Sequence, residues 1–258
     1  MTRWFDVDSG TGQGDVQGPP IFNLVLNWGL ELAEKFKNIS RGFTLQYRQS
    51  SRQPEKCVID LDYDDDIAGM DDTVEGLQET TDNIAKYCGL GGLKMNAKKT
   101  EIMVIGKDTS QHPLPENRTI DITVDGNSAK QVTQFTYLGA KITSDGKIDK
   151  EISVRIGKAT GAFNQLNNIW KNKNISINNK VRIYIAAVLT ILTYGSEIWN
   201  TTQVQTRRLE SFHQYCLRRI LRVRWFHRVR NEDVLRRASI TALTDIIATK
   251  RLRWFGHV

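Results

Sequence analysis

The sequence predicts an α+β chain, with a partial antiparallel sheet and packed helices over residues 1–145 and an all-helical segment over 146–258. Three observations predict it. Short alternating apolar runs separated by turn residues, scattered between positions 43 and 142, have the pattern of strands and hairpins. From Asp149 onward the apolar residues recur every three to four positions, as on one face of a helix. Charge divides the chain in the same sense: residues 201–258 hold 13 Lys and Arg against four acids, a local +9, whereas residues 1–200 stand at −2 within an overall +7.

Composition sets the bounds. A chain of 258 residues with 40% hydrophobic content is long enough and apolar enough for a real core, as one large domain or two modest ones. Cys57, Cys88 and Cys216 have no metal-like spacing, which argues against a disulfide framework and suits a reducing compartment. The first eight residues contain no apolar signal core. The longest uncharged run, Ile183–Ser196, is shorter than the ~20 residues a spanning helix needs. The expected setting is therefore intracellular, nuclear or cytoplasmic, not secreted, with no membrane partner.

The elements follow in order. Ser9–Pro20 is a glycine-rich loop with two prolines, leading into a helical stripe of Phe22, Val25, Leu26, Leu30, Ala33 and Phe36. Clustered glycines let a backbone approach a ligand, but no Lys-Ser or Lys-Thr follows, so this is not a nucleotide phosphate loop. Phe43–Tyr47 reads as a short strand within a polar connection. Cys57, Val58, Ile59 and Leu61 read as a strand; Ile67, Ala68 and Met70 read as its return, which leaves Tyr63–Asp66 as a hairpin tip. Asp72 with Glu75 resembles a capping box opening a helix through Val74, Leu77, Thr81, Ile84 and Cys88, which Gly89, Gly91 and Gly92 stop. Leu93–Ile105 ends in a β-like run, and Lys107–Arg118 reads as a loop. Ile120, Ile122 and Val124 alternate before an Asp125-Gly126 turn, with Val132–Ile142 as the returning strand. Ile152, Ile156, Ala159, Phe163, Leu166 and Trp170 form one helical stripe. Ser176 caps an apolar helix running through Ile198. Leu209, Phe212, Cys216 and Ile220 line another helix, with Arg207, Arg208, Arg218, Arg219 and Arg222 on its opposite side. Shorter helices follow near Asp233–Ala238 and Ala242–Phe255. The last stripe is unfinished at Val258, as expected of a truncated chain.

The chemistry concentrates in Asp60–Asp72, which holds seven aspartates: 60, 62, 64, 65, 66, 71 and 72. Carboxylates this crowded repel one another, and each makes ionising the next less favourable. A solvated turn does not need such density, whereas a divalent-cation site does, because Mg²⁺ takes a few carboxylates plus substrate phosphates. Asp60-x-Asp62-x-Asp64 also opens like a calcium-binding helix-loop-helix. That reading fails at Asp65, where the sharp turn needs glycine, and at Asp71, where the loop needs a bidentate Glu. An acidic site ahead of a basic tail points to metal chemistry beside a polyanion, with nucleic acid the first choice.

Four segments in order resemble the reverse transcriptase of non-LTR (LINE-type) retrotransposons, from mid-palm into the thumb. Gly10-x-x-Gln13-Gly14-Asp15 with Pro19 and Phe22-Asn23-Leu24 is similar to the family's Gln-Gly loop. Tyr63-Asp64-Asp65-Asp66 resembles its Phe/Tyr-Ala-Asp-Asp hairpin. Gly92-Leu-Lys-Met-Asn-Ala-Lys-Lys-Thr100 resembles the Gly-Leu-x-x-Asn-x-x-Lys-Thr segment that follows, and Phe135-Thr-Tyr-Leu-Gly139 the strand near the primer end. The resemblance covers nearly the whole chain.

It implies a partial palm over 1–145, a thumb-like and basic region over 146–258, and RNA-directed DNA polymerisation by two-metal nucleotidyl transfer. Asp65 and Asp66 would bind Mg²⁺ or Mn²⁺. Lys99 would stabilise or protonate the departing pyrophosphate, the alternative being an ordinary exposed lysine. Gln13 and Gly14, with Tyr63, Tyr137 and Gly139, would meet RNA template, DNA primer and deoxynucleotide, though Tyr137 also reads as a packed aromatic. Arg207, Arg208, Arg218, Arg219 and Arg222 would contact phosphates, or form a solvated face. The departures are Asp64 in place of Ala, Gly12 in place of Arg and Gly18 in place of Ser. The family's first catalytic aspartate strand and its fingers also have no counterpart, so the isolated chain is expected to be inactive. The alternative is a non-catalytic nucleic-acid-binding remnant of a retroelement. His213, Cys216 and His227 fit no zinc spacing and read as packing.

Overall fold

The computed structural model describes residues 16–38, 42–50, 52–106 and 119–256. The architecture is α+β, as expected, in two compact units, Met1–Thr133 and Gln134–Val258.

The first unit opens with α1 (Gly18–Lys35), which starts inside the predicted loop because Pro19 and Pro20 stand in its first turn, where no backbone donor is needed. Strands β1 (Phe43–Gln46), β2 (Lys56–Val58), β3 (Asp60–Tyr63) and β4 (Asp66–Gly69) pair antiparallel in twos, β1 with β2 and β3 with β4. The run predicted as one strand, Cys57–Leu61, is two: the chain changes partner at Ile59, whose carbonyl accepts from Met70 N–H at 2.6 Å. Helix α2 (Val74–Leu90) follows. Its cap is Thr73 rather than Asp72, since Thr73 Oγ1 accepts from Gly76 N–H at 3.1 Å. Leu26 and Ala33 of α1 bury against Ile84 and Cys88 of α2, with Ile67 packed on them. The helices cross closely because Gly29 lacks a side chain: a Cβ there would lie 2.8 Å from Cys88 Sγ and 3.0 Å from its Cα.

Four short strands complete the unit: β5 (Glu101–Ile102), β6 (Thr123–Val124), β7 (Asn127–Ser128) and β8 (Lys130–Gln131). Asp125 (φ 50°) and Gly126 (φ 75°) make the tight β6–β7 turn, as the Asp-Gly pair predicts. The return is only Asn127–Ser128, and β5 pairs with β8 in parallel. Val132–Ile142 is therefore not the returning strand. Ile102, Ile122, Val124 and Ala129 bury together under Val74 and Leu77 of α2. Gln78 accepts from Thr123 N–H at 2.8 Å and donates to Thr123 O at 3.0 Å, so a side chain stands in for a neighbouring strand.

The second unit begins with its own hairpin, β9 (Gln134–Tyr137) and β10 (Ala140–Thr143), and continues as helices. These are α3 (Asp149–Gln165), α4 (Asn167–Lys171), α5 (Ile177–Tyr184), a π-helical turn Ile185–Leu189, α6 (Thr190–Leu192), α7 (Gln203–Ile220), α8 (Asn231–Ala238) and α9 (Leu243–Phe255). The stripe predicted as one helix through Trp170 breaks at Leu166. There Trp170 turns back to donate from Nε1 to Phe163 O at 2.7 Å and stacks on the Phe163 ring at 5.0 Å. Ser176 does cap α5, accepting from Asn179 N–H at 3.3 Å. Its helix does not run unbroken to Ile198: the π-helical turn interrupts it, and Gly195 (φ 70°) ends it before a single 3₁₀ turn, Ser196–Ile198. Phe163, Tyr184, Leu209, Leu217, Ile220, Val234 and Leu243 are fully buried in one core. No helix among the described residues is long and apolar enough to cross a membrane.

Candidate functional site

The acidic stretch folds as the sequence predicts at its tip. Tyr63 pairs with Asp66 and closes a two-residue turn of Asp64 and Asp65. Asp64 takes a left-handed conformation (φ 56°), which Asp tolerates better than most residues. Asp65 and Asp66 are exposed, and Tyr63 is 64% exposed beside them. α2 lies against this hairpin, with Leu77 and Thr80 beside Gly69.

The seven aspartates do different things. Asp71 is structural: Oδ1 accepts from Thr73 N–H and Oγ1, each at 2.8 Å, and Oδ2 accepts from Gly42 N–H at 3.0 Å. Gly76 leaves room for it, since a Cβ there would fall 2.5 Å from its oxygens. Asp72 Oδ2 accepts from Thr44 N–H at 3.2 Å. Asp60 and Asp62 lie on the hairpin face toward the helices, opposite to Tyr63 and Asp66. Desolvation raises the Asp60 carboxyl above its usual range, and nearby Glu34 adds to it; Asp62 is raised by desolvation and then by Asp60. The sequence signal for this split was the strand alternation itself. Asp64, Asp65 and Asp66 are left exposed at the tip. Adjacent exposed carboxylates on a solvent-open tip suit Mg²⁺, which keeps most of its waters and needs one or two carboxylates. Among the described residues, no group of three or more His, Cys, Asp or Glu is placed to hold a metal ion.

The other predicted residues are distributed between the units. Lys99 follows α2 in the first unit, exposed, its N–H on Asn96 O at 2.9 Å, and it makes no ion pair among the described residues. Gln13 and Gly14 lie outside the described residues. Tyr137 and Gly139 belong to the second unit, where Tyr137 is half-buried with its ring 6.5 Å from Phe135. Leu138 (φ 47°) and Gly139 (φ 76°) form the β9–β10 turn, and Leu is an unfavourable residue for a left-handed position. Side chains outside the motif hold it there. Tyr194 OH donates to Leu138 O at 2.8 Å, and Arg155 Nη2 donates to Gly139 O at 2.5 Å. Arg155 also pairs with Glu151 at 2.5 Å and lies 4.3 Å over the Tyr194 ring. Glu151 in turn accepts from Lys141 N–H at 2.6 Å. Arg155 and Glu151 stand on the α3 stripe as ordinary polar positions, so only the turn they clamp reveals them.

Most of the α7 arginines are engaged within the unit. Arg208 donates to Ser153 Oγ at 2.9 Å; Arg218 donates to Val229 O at 2.9 Å and to Asn231 Oδ1 at 2.8 Å. Arg219 donates to Tyr215 OH and Asn167 Oδ1, and Arg222 to Lys171 O at 2.9 Å. Arg207 is exposed and has no side-chain hydrogen bond or ion pair among the described residues. These arginines therefore tie α7 to its neighbours while keeping exposed edges. The turn after α7, Arg222–Arg230, is more open, with Trp225 89% exposed.

Among known proteins, no family model matches the chain, and no solved structure matches it. It is similar to a transposon-derived protein of Caenorhabditis elegans, 25% identical over 211 residues that cover 78% of this chain and 71% of the relative.

Proposed function

We propose that the chain is a retroelement-derived segment of an RNA-directed DNA polymerase, with the β3–β4 hairpin as its metal-bearing tip. The observation that carries this is the tight turn that presents Asp65 and Asp66, beside Tyr63, while Asp71 and Asp72 are consumed in holding β1 and the start of α2. The similarity to a transposon-derived protein supports a mobile-element origin. In this reading residues 1–145 derive from a palm, and 146–258 are thumb-like and basic. Asp65 and Asp66 would hold Mg²⁺ or Mn²⁺, which supplies charge stabilisation at the transferring phosphoryl group when bound. Lys99 and Tyr63 would meet the deoxynucleotide from the same unit, with Gln13 and Gly14. Tyr137 and Gly139, set by Arg155 and Tyr194, would position the primer end; Arg207, Arg208, Arg218, Arg219 and Arg222 would present their exposed edges to phosphates of the RNA template and DNA primer.

A second reading, a non-catalytic nucleic-acid-binding remnant, is favoured by one observation. Polymerisation by two ions needs a carboxylate from a second strand, and among the described residues no group of three or more His, Cys, Asp or Glu is placed to hold a metal ion. The two readings part at the ion. Titrating Mn²⁺ into the chain, followed by its paramagnetic resonance, should show weak binding at one site that Asp65→Asn with Asp66→Asn removes and Asp71→Asn leaves. Absence of binding, or binding indifferent to Asp65 and Asp66, would leave the remnant reading.

A further inference from the structure

We propose that the 3₁₀ turn Trp225–His227 is a base-stacking contact for single-stranded nucleic acid. Residues 222–230 carry Arg222, Arg224, His227, Arg228 and Arg230 and no acid, the first acids beyond being Glu232 and Asp233. Arg224, Arg228 and Arg230 make no ion pair among the described residues, so their charge is available to a polyanion. Trp225 is 89% exposed and Phe226 51% exposed, in a unit that buries Trp170 and Trp199. Solvent exposure of a Trp to this degree forfeits the largest apolar area any side chain offers, unless something covers it.

The backbone of the turn is tied at both ends. His227 Nδ1 accepts from Arg224 N–H at 3.2 Å, which closes the turn on itself. Phe226 stands nearly perpendicular to both neighbours, 5.8 Å from Trp225 and 4.6 Å from His227. Arg218 anchors the far side through Val229 O and Asn231 Oδ1. A flat, exposed ring among arginines matches what a base on a single strand needs: a π-face, with cations for the adjoining phosphates. A duplex keeps its bases stacked internally and offers no free face. An anionic membrane fits less well, because only two rings are exposed on the turn.

The inference rests on nucleic-acid binding by the second unit and not on polymerase chemistry. The experiment is fluorescence anisotropy with a labelled single-stranded oligonucleotide and with a blunt-ended duplex of two separate strands, at several salt concentrations, using the full chain. Trp225→Ala should weaken single-strand binding by about 5- to 100-fold and leave duplex binding unchanged. The slope of log affinity against log salt should stay the same, since phosphate contacts remain, whereas Arg224→Ala with Arg228→Ala should flatten it. Trp225→Phe should recover most of the lost affinity, and matched far-ultraviolet dichroism should show that the variants fold. Single-strand binding by Trp225→Ala equal to that of the parent, or equal losses for single strand and duplex, would overturn the stacking contact alone. A parent that binds neither oligonucleotide would overturn both this and the nucleic-acid reading. So would a chain that instead binds phosphatidylserine vesicles through Trp225.

Discussion

Replacing Arg155 by Met should be the most damaging single change in the second unit. Arg155 and Glu151 are 5% and 3% exposed, one turn apart on α3, and their Nε–Oε1 distance is 2.5 Å. Removing the guanidinium strands a buried carboxylate that keeps only Lys141 N–H, and it takes the donor from Gly139 O. Breaking a buried pair from one side costs about 3–5 kcal/mol. The expected loss is therefore about 4 kcal/mol, a large share of the ~5–15 kcal/mol that holds a domain. Urea unfolding followed by Trp fluorescence measures it, because Trp170 and Trp199 are buried in this unit. Replacing both partners, Glu151→Leu with Arg155→Met, should cost less than Arg155→Met alone, since no buried charge is left unpaired. A loss below about 1 kcal/mol, or a double variant whose loss equals the sum of the singles, would refute the clamp.

Two further predictions separate structure from chemistry. His213 is fully buried, its Nδ1 2.7 Å from Tyr184 OH, and burial lowers it from 6.5 to about 4. The folded state disfavours its protonated form, so the second unit should lose about 3 kcal/mol as pH falls from 6.5 through 4; His213→Phe should abolish that slope, and an unchanged slope would count against it. Asp71→Ala should destabilise the first unit by about 2 kcal/mol by removing charge-assisted bonds to Thr73 and Gly42, while Asp65→Asn should change stability by less than ~0.5 kcal/mol. Thermal melts of the two variants test the contrast, which fails if Asp65→Asn is the worse.

The elements most legible in the sequence were those fixed locally. The Asp-Gly turn at 125–126, the Ser176 cap and the period of α7 each depend on residues within a few positions. The acidic hairpin belonged to this group too, because a turn between two short apolar runs has few alternatives. What could not be read locally was partnership across distance. Periodicity extended α3 through Trp170 because a ring that turns back onto Phe163 still falls on the helical stripe. Strand Cys57–Leu61 looked single because its change of partner at Ile59 depends on Met70. The seven aspartates read as one acidic cluster, yet Asp71 serves a helix start and a glycine 29 positions earlier. Arg155 and Tyr194 gave no signal, since the turn they clamp is 16 and 56 residues away from them. The α7 arginines were legible as a charged face but not as the hydrogen bonds that most of them make.

In the polymerase reading proposed above, Asp65 would be a metal ligand whose partner carboxylate comes from another strand. Primer extension on an RNA template with Mg²⁺ or Mn²⁺ tests it most directly, using the 258-residue chain alone and the same chain joined behind a reverse-transcriptase finger–palm segment that carries an aspartate strand. The chain alone should extend no primer; the joined protein should extend, and Asp65→Asn should abolish that extension while Asp64→Ala preserves it. Extension by the joined protein that survives Asp65→Asn would contradict the assignment of the hairpin.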